Sequence, residues 1–136
     1  VQVELGLEEL ETLASALVRL KFEEEVPPEP YFGSPRLAAA HRRIVDSIIL
    51  ECERMGEPGR VARWEAWRKW PARAHEKLVI IRYASSLEVW DEWEDEQKLD
   101  VLRTCSAPFT PSEEELQDLR REIDLVRNFS AHGDLP

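Results

Sequence analysis

At 136 residues, with 43% hydrophobic and 34% charged side chains, the chain fits one folded domain over 1–136 rather than a disordered or fibrous segment. No run approaches the roughly 18 apolar residues that span a bilayer, and the start has none of a signal peptide's regions, so a membrane partner is not expected. A net charge of −10 weighs against general nucleic-acid binding, because phosphate backbones seek positive surfaces. The first residue is Val1 rather than Met, which reads as a domain trimmed or excised from a longer protein.

The charge is unevenly spread. Residues 34–82 hold eleven Lys/Arg against six Asp/Glu, a balance of +5, while the remainder holds seven against twenty-two, a balance of −15. A polyanion can therefore meet one positive face, and the acidic remainder favours a basic protein partner. Cys52 and Cys105 stand far apart with no CxxC or Cys/His spacing, so they read as free thiols in a reducing, cytoplasmic setting.

The first element is a helix in which Leu7, Leu10, Leu13, Leu17 and Leu20 recur every three or four residues. Pro27, Pro28 and Pro30 break it. Ser34-Pro35 reads as an N-cap with proline at the first helical position, opening a second helix with Leu37, Ile44, Ile48 and Cys52 or Met55 on its seam. Gly56 is placed to end it.

A short helix from about Arg60 to Trp70 stops before Pro71, and a long one carrying Leu78, Ile81, Leu87 and Trp90 follows, broken before Leu99. Thr110-Pro111-Ser112-Glu113 has the form of a capping box, starting a helix whose seam is Leu116, Leu119, Ile123 and Val126. No segment alternates as a strand does. The expectation is an all-α, antiparallel bundle of about four to five helices.

Three features invite a functional reading. The segment from Arg60 to Arg73 interleaves Arg60, Arg63, Arg68, Lys69 and Arg73 with tryptophans, among them Trp67, and such a mixture holds phosphates and stacks bases. Trp64 and Trp67 at helical spacing are more often core, with the cations as their solvated back. The run Asp91-Glu92-Trp93-Glu94-Asp95-Glu96 lacks the spacing of a calcium loop and reads as a solvated helix end. His41 and His75 sit in no metal-ligand spacing, and His41, beside Arg42 and Arg43, reads as a surface residue. No phosphate-binding loop, dinucleotide fingerprint or nucleophile elbow is present, so neither metal nor cofactor is expected.

The third feature is Leu125-Val126-Arg127-Asn128-Phe129-Ser130-Ala131-His132-Gly133. It resembles the signature of the HEPN superfamily, small helical-bundle domains marked by an arginine, usually a polar residue after it, and a histidine a few positions on. Four residues separate Arg127 from His132, and Asn128 fills the polar slot. The likeness covers Thr110 to Asp134. It implies a metal-independent endoribonuclease that leaves a 2′,3′-cyclic phosphate, often of a toxin–antitoxin, CRISPR-associated or other defence system. It also implies a homodimer pairing two motifs across an interface. Family members usually continue into further helix after the histidine, where this sequence stops at Pro136.

The chemistry suits the residues. Arg127 would neutralise charge on the pentacoordinate phosphate, His132 would pass protons to and from the ribose and leaving oxygens, and Asn128 would orient phosphate or imidazole. On one continuous helix, five residues advance about 500°, so Arg127 and His132 would lie roughly 140° apart, which favours a site completed by a second copy. Two rival readings stand beside this one. The first is a non-catalytic interaction or dimerisation domain. The second is an acidic antitoxin, immunity or inhibitor protein that binds a basic partner.

Overall fold

A computed structural model of the chain describes residues 1–24 and 26–131. These are helical almost throughout: α1 (Leu7–Phe22), α2 (Pro35–Arg54), α3 (Pro58–Trp67), α4 (Ala74–Ser85), α5 (Asp95–Ser106) and α6 (Glu113–Ala131). Short 3-10 turns lie at Trp70–Ala72 and Trp90–Glu92. The fold is an all-α bundle, with six helices among the described residues where the sequence suggested four or five. The difference arises after Pro71. The expected long helix ends at Ser85, the chain steps through two turns that carry Trp90 into the core, and Glu94 with Gln97 opens α5.

Helix ends follow local chemistry. The Ser34 hydroxyl accepts from Leu37 N–H at 3.1 Å, and Gly56 ends α2 with φ of 70°, a left-handed conformation suited to glycine. The start of α6 lies two residues beyond the expected box. Ser112 Oγ accepts from Glu115 N–H at 3.1 Å, and Glu115 Oε1 accepts from Ser112 N–H at 2.9 Å. Thr110 is committed elsewhere, its N–H donating to Arg68 O at 2.9 Å. Ser112→Ala is expected to cost about 1 kcal/mol in urea denaturation. An unchanged midpoint would mean that water replaces the cap.

Two clusters form the interior. In one, Ala14 of α1 packs with Val45, Ile48, Ile49 and Cys52 of α2, and Trp64 and Trp67 of α3 lean on it. In the other, Phe22, Phe32, Trp90 and Phe109 meet apolar residues of α4, α5 and α6. α5 and α6 run antiparallel, linked by Lys98–Asp124 at 3.2 Å near one end and Arg103–Glu113 at 2.7 Å near the other. α4 runs alongside α6 in the same direction, tied by Lys77–Glu122 at 3.2 Å and by Ser85 to Arg127 at 2.7 Å.

His41 is fully buried rather than on the surface. Its Nε2 lies 3.0 Å from Ala14 O and donates to it, joining α2 to α1, while Nδ1 has no partner among the described residues. Burial above all, against the pull of the Ala14 bond and helped by the charges of Lys21 and Arg42, lowers its pKa from 6.5 to about 4. The unfolded chain thus takes up a proton near pH 6.5 and the folded one only near 4, so stability falls as pH drops through that window. The loss is expected to reach roughly 3 kcal/mol. In His41→Gln, which keeps an N–H donor, this component should vanish. Urea denaturation at several pH values would check it, and a wild-type-minus-variant difference that is flat with pH would refute it.

Candidate functional site

Ser112 starts α6 so that Leu116, Leu119 and Ile123 enter the core. One turn further the polarity inverts. Val126, expected on the seam, is 43% exposed, and the Arg127 side chain takes the inward register at 15% exposure. Leu125 and Phe129 point outward with Val126, and Asn128 is exposed. Three and four residues apart, these apolar side chains form one bare patch over the last two turns.

Arg127 is held at three atoms. Its NH1 donates to Ser85 O at 2.7 Å, and its Nε and NH2 straddle Asp91 at 3.3 and 3.0 Å. The fork thus joins the end of α6 to the corner between α4 and the Trp90–Glu92 turn. Hydrogen bonding from Arg127 holds the Asp91 carboxyl below its usual range. Asp91 is itself 66% exposed, so one side of the pair faces water.

One helical turn before Arg127, Asp124 gathers three donors: Trp90 Nε1 at 2.8 Å, Lys98 Nζ at 3.2 Å and Arg120 NH1 at 2.8 Å. Burial alone would raise this carboxyl, but the three donors outweigh it and keep its pKa below the ordinary value. The network fixes the Trp90 corner, and with it the wall against which Arg127 lies. The sequence reading passes over Asp124 and takes Asp91 only as part of a solvated helix end. The acidic run gave no sign that its first member reaches a helix 36 positions later.

His132 lies outside the described residues. Of the expected catalytic set, the structure therefore places Arg127 and Asn128 on adjacent positions of α6, the first anchored and the second in solvent.

The expected nucleic-acid set divides. Trp67 packs between Trp64, 5.0 Å away, and Phe109, 5.1 Å away, as a core aromatic. The Arg73 guanidinium lies over the same Phe109 ring at 4.5 Å and donates to Trp67 O. Arg60 is paired with Glu11 and Glu57, and Arg68 with Asp46 and Glu65. Arg63 and Lys69 are both exposed, and neither has an ion-pair partner among the described residues.

Among the described residues, no group of three or more His, Cys, Asp or Glu is placed to hold a metal ion, and no helix is long and apolar enough to cross a membrane. Cys52 and Cys105 are both free and buried. No family model matches the chain, and neither a curated protein nor a solved structure does.

Proposed function

We propose that this chain is a HEPN-like domain acting on RNA as a metal-independent endoribonuclease, with Arg127, Asn128 and His132 as its reacting set. A toxin–antitoxin or other defence setting suits such an activity. The observation that carries the reading is the inversion at the end of α6. A guanidinium is fixed in the inward register beside an exposed Asn128, while Leu125, Val126 and Phe129 stand bare around it. A second copy covering that patch would bring two motifs together. In the reaction, the ribose 2′-oxygen attacks the adjacent phosphorus, and His132 takes its proton. Arg127 meets the charge on the pentacoordinate phosphate. The bond from phosphorus to the 5′-oxygen then breaks, the protonated His132 gives its proton to that leaving oxygen, and the 2′,3′-cyclic phosphate remains.

The Asp91 ion pair favours a second reading, a non-catalytic interaction domain. A phosphate approaching Arg127 meets a carboxylate already there, and the run from Asp91 to Glu96 adds further negative charge. In that reading Arg127 only fastens α6, and the apolar patch binds protein.

Cleavage of a mixed single-stranded RNA pool in EDTA tests the two. Products ending in 2′,3′-cyclic phosphate, lost in both Arg127→Ala and His132→Ala, support the nuclease. A folded wild-type protein without activity would leave the interaction domain as the function.

A further inference from the structure

At the opposite end of the chain, the segment leading into α1, the start of α1 and the last third of α2 border an open cleft of about 790 Å³. Its apolar lining is leucine, Leu5, Leu7 and Leu10 from the α1 side and Leu50 from α2, where Ser47 and charged residues complete it. Leu50 is 67% exposed near the C-terminal end of the 20-residue α2, and with Leu5, 38% exposed, it makes the apolar surface here a patch rather than a single residue. Val3 and Met55 extend the apolar surface into two adjoining hollows.

The rim is acidic. Glu4, Glu8, Glu9, Glu51 and Glu53 surround these hollows, and the two arginines among them, Arg54 and Arg60, are already neutralised by Glu51 and by Glu11 with Glu57. Among the described residues, Glu4, Glu8 and Glu53 meet no cation.

We infer that this cleft is a docking site for a basic amphipathic helix of a partner protein, which lays an apolar stripe between α1 and α2 and sets Lys or Arg against the rim. A groove between two helices accepts the ridge of a third, and apolar anchors one turn apart match the row of leucines. Charge decides the identity of the occupant. A second copy meeting this face with its own same face would set carboxylates against carboxylates and be repelled, whereas a cationic helix is steered in and held in register. The inference does not rest on the ribonuclease reading, since the cleft is formed without any residue of α6.

Anisotropy titrations of the full chain with three labelled peptides test it: an amphipathic Leu/Lys helix, the same composition scrambled, and an amphipathic Leu/Glu helix. The Leu/Lys helix is expected to bind at least about tenfold tighter than the scrambled peptide, the Leu/Glu helix not at all, and binding should weaken with salt. Leu50→Asp, at an exposed position, should weaken the Leu/Lys helix about tenfold, while Leu78→Asp, an exposed leucine of α4, should leave it unchanged. Equal binding of the scrambled peptide would reduce the effect to bulk charge and overturn the inference. So would insensitivity to Leu50→Asp, an equal loss in Leu78→Asp, or a wild-type dimer that Leu50→Asp disperses.

Discussion

Lys21→Met is expected to lower the free energy of unfolding by about 3 kcal/mol. The lysine lies in the last turn of α1 at 1% exposure, and its ammonium donates to Thr104 O at 3.3 Å, Cys105 O at 2.9 Å and Ala107 O at 2.8 Å. These carbonyls close the C-terminus of α5, where the helix offers no N–H of its own. Thr104 O also accepts from Ala107 N–H, so the loss falls mainly on the other two. Leaving a buried acceptor unpaired costs about 1–3 kcal/mol. Against this stands the desolvation of the ammonium, the main cause that brings its pKa from 10.5 down to about 8, and methionine would remove it. The rings of Phe22 and Phe32, 5.2 and 5.5 Å from the nitrogen, return part of that desolvation. Two orphaned carbonyls therefore outweigh it. Urea denaturation of the two proteins decides the matter, and a variant as stable as wild type would show that desolvation wins.

Lys21 also shows where sequence reading runs out. The leucine periodicity identifies α1 correctly, but its buried residues are Ala14, Lys21 and Phe22, with Leu7, Leu10 and Leu17 only half-buried and Leu13 and Leu20 exposed. No hydrophobic pattern puts lysine inside, because the reason lies in carbonyls more than 80 positions away. His41 differs, for its signal was present. Ala38, His41, Val45, Ile48 and Cys52 recur every three or four residues, and the flanking arginines obscured that stripe. The capping chemistry of Ser34 and the glycine end of α2 were legible because they depend on a few adjacent residues. Thr110 and Ser112 each precede a glutamate by three positions, and only the tertiary bonds from Thr110 to Arg68 single out Ser112 as the cap. Arg127 and Asn128 were legible as residue types. Their surroundings were not, since the Asp91 pair and the outward turn of Val126 are products of packing.

Asp91→Asn separates the two jobs open to Arg127. As a tether, the arginine contributes one bond to a backbone carbonyl and a largely exposed ion pair. Arg127→Ala should then cost about 1–2 kcal/mol of stability, with the ion pair supplying less than about 1 of it. As a phosphate ligand in the transition state, the same residue should be worth about 10²- to 10³-fold in cleavage rate. Asp91→Asn leaves the tether to Ser85 in place and removes the carboxylate that competes for the fork. A nuclease should therefore bind and cleave RNA several-fold better in this variant, while its stability falls only slightly. A tether should lose the same small stability and gain no affinity for RNA. The double variant Asp91→Asn/Arg127→Ala completes the cycle. In a nuclease the gain from Asp91→Asn must disappear once the arginine is gone, because the carboxylate acts on phosphate only by occupying that fork. A gain that persists without Arg127 would assign the effect to reduced negative charge around the run from Asp91 to Glu96, and the arginine would then have no direct part in holding RNA.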